Sequence, residues 1–289
     1  MPKLNPVVFF KQTLKSDAFY ADELINIYLL RPIAALIVWL LYPTSITPNQ
    51  VTLFAIVLGG TSAYCYLMNT PVMIALAGAL ILAKDIFDDA DGQLARAKEM
   101  YSRRGRFLDS IGDFAVDAVV FGAITYVVYL ESGSMIAVLL GILSLAGITL
   151  RVSYHVFYQV SFLHLEGSYK LNRIAEEITE EDRRGDPVAL QLQRIFVLIY
   201  GWQDRLMYRL DRWCMGGDLR EELLVVWYSD RFALRLSGLM GFGTELALLA
   251  VCSWLNRLQS YLYLNVFLMN GIWLASVSYR RFILAGNLK

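Results

Sequence analysis

Asp88-x-x-Asp91-Gly92-x-x-Ala95-Arg96 and, eight residues later, Gly105-x-x-x-Asp109-x-x-x-Asp113 lie in two adjacent, strongly apolar segments of this chain. An ionisable side chain inside a membrane-type segment is costly to bury, and for that reason it usually marks a functional site. The four aspartates are therefore the first candidates for chemistry. The apolar segments that carry them are the first candidates for membrane helices.

The composition places the chain among integral membrane proteins. Hydrophobic residues make up 57% of its 289 residues, and the mean hydropathy of +0.47 is higher than soluble globular domains usually show. Lysine plus arginine and aspartate plus glutamate balance at 26 each, so the net charge gives no reason to expect a nucleic-acid partner. The three cysteines form no C-x-x-C pair, which argues against a disulfide framework or a zinc site.

Apolar runs of about 20 residues, the length that spans a bilayer as a helix, predict an all-α integral membrane protein with six transmembrane helices. The runs cover 51–68, 73–95, 107–130, 135–160, 232–255 and 261–284. Basic residues concentrate in the loop after the first motif half, in the segment 166–231 and at the C-terminus. By the positive-inside rule these parts and the N-terminus face the cytoplasm, and we expect the protein in a bacterial inner membrane.

A further apolar run, residues 24–42, is interrupted in its middle by Arg31-Pro32. Proline removes a backbone donor, and an arginine at mid-bilayer costs about 3 kcal/mol on insertion scales. The run is therefore predicted to be an N-terminal interfacial amphipathic helix. Thr47-Pro48-Asn49-Gln50 is typical of a helix start and opens the first span. The predicted organisation is an N-terminal cytoplasmic segment with the interfacial helix (1–46), spans one to four with the motif (47–165), a cytoplasmic insert (166–231) and spans five and six (232–289).

The insert begins with a mixed-charge stretch and continues with apolar residues at helical spacing. The apolar positions are Leu192, Ile195, Phe196, Ile199, Trp202, Leu206 and Leu210, and Arg194, Arg205, Arg209 and Arg212 lie between them. Two interpretations stay open. The helix lies on anionic lipid headgroups, or it packs on the spans or on a partner.

Each half of the motif forms one stripe on its helix, because its residues are spaced three or four apart. Two antiparallel helices joined by the loop 97–104 bring the stripes face to face at the cytoplasmic end. Four ionised carboxylates so close repel one another unless cations neutralise them, and Mg²⁺ or Mn²⁺ suits such an oxygen-rich site. Three more aspartates lie beside the pattern: Asp85, Asp89 and Asp117. They either support the motif residues or are solvated charges at helix ends.

Small residues and one arginine complete the pattern. Gly92, Ala95 and Gly105 leave room for a ligand to approach the backbone, and Arg96 supplies a guanidinium fork that suits phosphate. Together with divalent metals, these residues describe a diphosphate site near headgroup depth.

The complete pattern resembles the signature of the CDP-alcohol phosphotransferase (CDP-alcohol phosphatidyltransferase) family, and every fixed position is matched between residues 88 and 113. The resemblance implies transfer of a substituted phosphate from a CDP-linked donor, usually CDP-diacylglycerol, to an alcohol, with release of CMP. It also implies two bound ions, Mg²⁺ or Mn²⁺, and a homodimer.

The same resemblance implies roles for the motif residues. The metal ligands are Asp88, Asp91, Asp109 and Asp113, and Asp113 is also the general base that takes the proton of the acceptor hydroxyl. The nucleotide-binding residues are Asp91, Gly92, Ala95, Arg96, Gly105 and Asp109.

The acceptor alcohol is not identified by the sequence. A phosphorylated acceptor, such as glycerol phosphate or inositol phosphate, needs a basic pocket, and Arg151, Arg235 and Arg280 near cytoplasmic ends of spans are candidates for it. The alternative for each arginine is to extend to the lipid headgroups. Serine, choline and a second phospholipid remain open as acceptors.

Two other classes of protein also bury aspartates in membrane helices. A divalent cation transporter or channel lined by acidic residues accounts for six spans and buried carboxylates, but not for an arginine beside the cation path. A membrane prenyltransferase binds lipid diphosphates through Mg²⁺ and aspartates. Its acidic motifs lie on separate, repeated helix pairs, whereas this chain has one motif.

Overall fold

The computed structural model describes residues 19–165, 176–217 and 220–288, and every regular element in these ranges is a helix. The predicted all-α class is therefore confirmed. Residues 1–18 of the N-terminal segment and residues 166–175 of the insert lie outside the described residues. The helices are α1 (Asn26–Leu41), α2 (Pro48–Leu67), α3 (Pro71–Lys98), α4 (Arg103–Ser132), α5 (Met135–Leu165), α6 (Glu180–Arg184), α7 (Pro187–Met215), α8 (Glu221–Ser229), α9 (Arg231–Gly238), α10 (Phe242–Trp254) and α11 (Leu258–Asn287).

Local capping signals define where the motif-bearing helices and their neighbour begin and end. Gln50 Oε1 accepts a hydrogen bond from the backbone N of Thr47 at 2.9 Å, which is the predicted start of α2. Ser102 Oγ accepts from the backbone N of Gly105 at 3.1 Å and caps α4. α3 ends at Glu99, whose φ of 56° places it in the left-handed region. The loop between the motif helices is short because these two signals lie close together.

Five helical stretches in the described ranges are long and apolar enough to cross a membrane. Four are the continuous stretches Pro48–Leu67, Arg103–Ser132, Met135–Leu165 and Leu258–Asn287, and the fifth, Glu222–Trp254, comprises α8, α9 and α10. These helices agree with an integral membrane protein. α3 is long enough to be a sixth span but carries Lys84, Asp85 and Asp88 in its apolar part, so the count of six stays a prediction.

α1 is shorter than a membrane-spanning helix usually is. At 1.5 Å per residue it is about 24 Å long, below the roughly 30 Å of the hydrocarbon core. Pro32 does not end it, because the preceding turn, Asn26–Leu30, is a π-turn. Arg31 forms an ion pair with Asp22, and one face of α1 packs on α3 while the other exposes large apolar side chains. The interfacial position of α1 stays a prediction.

The fifth predicted span, 232–255, consists of separate helices rather than one. Asp230 lies between α8 and α9 and caps α9, since its Oδ1 accepts from the backbone N of Ala233 at 2.8 Å. Residues 239–241 separate α9 from α10. At the start of α10, the carboxylate of Glu23 accepts from the backbone N of Gly243 at 3.3 Å and of Thr244 at 2.8 Å. The segment before α1 therefore caps a helix of the last part of the chain.

α2 supports both motif helices. It packs on α3 and on α4 more extensively than these two pack on each other. A Cβ at Gly59 would overlap the side chain of Val116, so glycine is what allows the close approach of α2 to α4. The space left between α3 and α4 holds the carboxylates of the motif.

α7, in the insert, packs on α4 and α5 through one face. Tyr200 Oη donates to the backbone O of Ser110 at 2.8 Å, beside Asp109 of the motif. Asp211 is buried and accepts hydrogen bonds from Tyr158 of α5 at 2.8 Å and from Trp227 of α8 at 2.9 Å. The interpretation that the insert packs on the spans therefore holds for this face.

The opposite face of α7 exposes a row of large apolar side chains flanked by arginines. The exposed residues are Ile195, Leu198, Trp202, Leu206 and Trp213, with Arg194, Arg205, Arg209 and Arg212. Contact of this face with lipid headgroups stays a prediction.

Candidate active site

Three carboxylates of the motif converge between α3 and α4. One oxygen from each of Asp88, Asp91 and Asp109 lies within 4.8 Å of the other two. Two come from successive turns of α3 and the third from the first turns of α4. The helical spacing and the antiparallel arrangement thus bring together residues that the two motif halves carry separately.

Thr52 of α2 orients one of these carboxylates. Its hydroxyl donates a hydrogen bond to Oδ2 of Asp91, and both side chains are buried. The donor comes from the helix that supports α3 and α4. Thr52 is not among the site residues predicted from the sequence, although a polar residue on the buried face of an apolar span is a visible signal.

Asp113 is engaged by a lysine that the sequence analysis also missed. Lys84 Nζ donates to Oδ1 of Asp113 and lies 3.8 Å from Oδ2 of Asp88. The lysine is fully buried on α3, one turn before Asp88, and its ammonium lies 4.7 Å from the ring centroid of Phe242. We use the name motif centre for Lys84, Asp88, Asp91, Asp109 and Asp113.

The three acidic residues beside the pattern are not simply solvated. Asp85 and Asp117 are 6% and 8% exposed, so both are buried near the motif centre. Asp89 faces α1, where its Oδ1 lies 3.9 Å from Nε of Arg31. Their positions favour the interpretation of supporting residues over that of free helix-end charges.

The donor set of the motif centre fits a hard divalent cation. Three carboxylate oxygens converge, and Oδ1 of Asp109 is buried without a hydrogen-bond partner among the described atoms. An unpaired anionic oxygen in a buried position is unfavourable unless a cation compensates it. Oxygen-only ligands of this kind suit Mg²⁺ or Mn²⁺ better than soft metals.

The predicted nucleotide-binding residues lie next to these carboxylates on the same helices. Gly92, Ala95 and Arg96 are half-buried on successive turns of α3. A Cβ at Gly92 would meet only Nη1 of Arg96, at 3.6 Å, so the space beside this glycine is open. Gly105 is different, because a Cβ there would overlap Oδ1 of Asn49. Its lack of a side chain therefore also serves the packing of α4 against the start of α2.

The three arginines predicted for an acceptor pocket have separate sets of partners. Arg151 is fully buried and forms an ion pair with Glu245 of α10, with a hydrogen bond from Nη1 to Asn270 Oδ1 at 2.6 Å. Glu245 of α10 thus pairs with an arginine of α5.

The other two arginines contact aromatic rings and backbone oxygens. Arg235 lies 4.9 Å from the ring centroid of Phe19 and donates to the backbone O of Asp22 at 3.3 Å. Arg280 is buried 3.4 Å from the ring centroid of Tyr158 and donates to the backbone O of Trp227 at 3.1 Å. The structure therefore does not bring the three guanidinium groups together around one set of contacts.

Ion pairs join the start of α4 to the insert, and we name this group the clamp. Arg103 Nη1 lies 2.7 Å from Oδ1 of Asp182, Arg106 Nη2 lies 2.7 Å from Oε2 of Glu176, and Arg104 pairs with Asp186. Hydrogen bonds from the Thr179 backbone, Gln193 and Arg103 hold the pKa of Asp182 below its usual range, and the hydrogen bond from Arg104 lowers the pKa of Asp186. The clamp fixes the insert against the first turns of α4, the helix that carries Gly105 and Asp109.

Comparison with known proteins agrees with this arrangement. The chain matches the family model of CDP-alcohol phosphatidyltransferase over residues 45–204, from the start of α2 into α7. The "Bifunctional IPC transferase and DIPP synthase" of Thermococcus kodakarensis is 40% identical over 81 residues, which are 28% of this chain and 18% of that protein. The protein of the same name from Archaeoglobus fulgidus is 36% identical over 90 residues, 31% of this chain and 17% of its own length.

A third relative, an uncharacterized protein of Aquifex aeolicus, is 35% identical over 133 residues, 46% of this chain and 63% of its own length. The chain thus spans less than a fifth of the two bifunctional relatives and less than two thirds of the third. The family model covers more than half of the chain, and it includes the complete motif. The resemblance seen in the sequence is confirmed, and this chain belongs to the CDP-alcohol phosphatidyltransferase family.

Proposed function

We propose that this protein transfers a substituted phosphate from a CDP-linked donor to an alcohol acceptor and releases CMP. The observation that supports this most directly is the convergence of Asp88, Asp91 and Asp109 between α3 and α4, within the family's motif. The word transferase in the names of the archaeal relatives agrees with it. We take CDP-diacylglycerol as the donor, because the motif centre belongs to a membrane protein.

The carboxylates of Asp88, Asp91, Asp109 and Asp113 would hold two divalent ions, Mg²⁺ or Mn²⁺, which when bound neutralise and orient the diphosphate of the donor. The hydrogen bond from Thr52 keeps one oxygen of Asp91 in a defined direction. Gly92, Ala95, Arg96 and Gly105 would lie along the cytidine nucleotide, with the guanidinium of Arg96 directed to phosphate oxygens.

Asp113 is the proposed general base. As the oxygen of the acceptor hydroxyl bonds to the phosphorus of the transferred group, Asp113 accepts the proton of that hydroxyl. The bond between this phosphorus and the bridging oxygen of the diphosphate breaks, and CMP leaves with that oxygen. The hydrogen bond from Lys84 favours the ionised form of Asp113, which is the form that a base requires.

The acceptor is a small alcohol or an alcohol phosphate. Arg151 has its charge compensated by Glu245, whereas Arg235 and Arg280 contact rings and backbone oxygens. A phosphate pocket would therefore use Arg235 or Arg280 before Arg151. We further propose a homodimer in a bacterial inner membrane with the motif centre on the cytoplasmic side, which agrees with the basic residues around the motif loop.

The test is CMP release by the purified protein from radiolabelled CDP-diacylglycerol, with Mn²⁺ or Mg²⁺ and a panel of acceptors. The panel contains glycerol phosphate, inositol phosphate, serine, choline and a phospholipid. We expect release that depends on one of these acceptors and that is lost in Asp91→Asn. No release with any acceptor, together with Mn²⁺ uptake into vesicles that contain the protein, would contradict the proposal in favour of a cation transporter.

A further inference from the structure

Lys84 places an ammonium group in the motif centre. Its side chain has no exposed surface, and its ammonium donates to Asp113 and lies 3.8 Å from Oδ2 of Asp88. The motif itself begins only at Asp88, so this lysine is an addition to the pattern that assigns the chain to its family. A buried ammonium is strongly unfavourable unless carboxylates compensate it.

The ammonium cannot reach water by extending along its own helix. α3 ends at Lys98, and at 1.5 Å per residue this end is about 21 Å from Lys84, which is much farther than a lysine side chain extends. Phe242 of α10 covers the ammonium on another side. The charge of Lys84 therefore stays among the carboxylates of α3 and α4.

We propose that Lys84 is a built-in competitor for the metal position between Asp88 and Asp113. This rests on the proposed function, because it assumes that the motif centre binds divalent ions. One oxygen from each of Asp88, Asp91 and Asp109 lies within 4.8 Å of the other two, and these three carboxylates take the first ion. A second ion beside Asp113 has to displace the ammonium, since a dication and an ammonium at the same carboxylates repel each other.

The structure offers the displaced ammonium another partner. Asp117 lies one turn beyond Asp113 on α4, and Asp85 follows Lys84 on α3. Both carboxylates are buried. The movement of the ammonium from Asp113 to one of them would open the second metal position. The two positions therefore fill in order, the first tightly and the second more weakly.

The experiment is a titration of the full-length protein in detergent with Mn²⁺, with free Mn²⁺ measured by electron paramagnetic resonance. In the wild type we expect a second ion that binds about tenfold or more weakly than the first, the scale of one charge-assisted hydrogen bond. Lys84→Met removes the charge but keeps much of the volume, so its two affinities should approach each other. Lys84→Arg keeps a cation and should bind like the wild type.

Lys98→Met is the matched control, because Lys98 lies on the same helix and donates to the backbone oxygens of Thr44 and Ile46 instead of to the motif centre. It should leave both affinities unchanged. Equal second-ion affinity in Lys84→Met and the wild type, or a weaker one in Lys84→Met, overturns the proposal.

A measurement on the wild type alone covers the case in which Lys84→Met fails to fold. Ordered filling predicts isolated Mn²⁺ signals at one equivalent and spin-coupled pairs only at excess. Coupled pairs from the first equivalent overturn the proposal. CMP release distinguishes its failure from that of the proposed function: metal-dependent release with equal affinities contradicts only the role of Lys84, whereas ordered binding without release contradicts only the transferase reaction.

Discussion

The motif centre and the clamp are both built from acidic and basic side chains on α4 and its neighbours, but they differ in access to water. Lys84 is fully buried and Asp91 is 8% exposed, whereas both partners of the clamp pair Arg104–Asp186 are exposed, to 55% and 32%. The contrast holds for this pair, since Asp182 and Glu176 of the clamp are themselves buried. A buried charge that loses its partner is strongly destabilising, whereas an exposed ion pair contributes little. Single substitutions in the motif centre should therefore have larger effects than substitution of the exposed pair Arg104–Asp186 in the clamp.

The largest effect is expected for the carboxylates of the motif centre. Asp113→Asn keeps the shape but removes the proton acceptor, so turnover should fall by about 10² or more while nucleotide binding survives in part. Asp91→Asn should instead weaken binding of the metal and the donor. Steady-state kinetics with CDP-diacylglycerol and equilibrium binding of a cytidine nucleotide separate these two results. Near-normal turnover of Asp113→Asn would remove this residue from the role of base.

An intermediate effect is expected for Thr52, which contacts the motif centre from α2. Thr52→Val keeps the branched shape but removes the donor to Asp91, so affinity for Mn²⁺ should fall by about tenfold or more, the usual effect of losing a hydrogen bond to a ligand. Thr61→Val is the matched control on the same helix, because Thr61 donates to the backbone O of Val57 and is exposed. Equal losses of Mn²⁺ affinity in Thr52→Val and Thr61→Val would show that the loss follows from replacing any threonine of α2 and not from removing the hydrogen bond to Asp91.

The clamp should tolerate substitution much better. Arg104→Gln removes the ion pair with Asp186, and we expect a small decrease of the unfolding temperature that disappears at high salt, because exposed pairs are screened. CMP release should stay close to that of the wild type. Arg183→Gln is the control, since the pair of Arg183 with Glu180 lies within α6 and does not reach α4. A loss of turnover in Arg104→Gln comparable to that in Asp113→Asn would contradict the distinction between the two regions.

The ion pair between Arg104 and Asp186 should make the stability of the protein depend on pH in a defined direction. Arg104 lowers the pKa of Asp186, so the stabilisation is fully present above the ordinary carboxyl pKa of about 4 and is lost as pH falls through the lowered pKa. The difference in unfolding temperature between the wild type and Arg104→Gln should therefore be constant from neutral to mildly acidic pH. It should shrink only in strongly acidic solution. If this difference in unfolding temperature disappeared near neutral pH, a titratable group other than Asp186 would be responsible for it.

The sequence predicts the contacts that depend on helix periodicity better than those that depend on packing. Asp88, Asp91 and Asp109 are spaced to share helix faces, and the structure brings them together. The contact of Thr52 with Asp91 joins positions 39 residues apart on different helices. Periodicity can place Thr52 on the buried face of α2, but it does not identify Asp91 as its partner. Lys84 is four residues before Asp88 in an apolar segment, and such a charge is a visible signal even without a structure.

Two further features of the structure are also not predicted by the periodicity of the sequence. The partner of Glu245 is Arg151, 94 residues away along the chain, because the packing of α5 on α10 decides between several arginines of similar sequence context. The fifth predicted span, 232–255, is interrupted at residues 239–241, between α9 and α10. Hydropathy alone does not detect this break, because Leu239 and Met240 are themselves apolar.

The central claim is that the buried carboxylates form a metal-dependent transferase centre. The most direct test is CMP release from labelled CDP-diacylglycerol by the wild type, with its preferred acceptor, before and after a chelator and again after added Mg²⁺ or Mn²⁺. We predict that release stops in the chelator and returns with either ion, and that Arg104→Gln behaves in the same way. Release that continues unchanged in excess chelator would contradict the account.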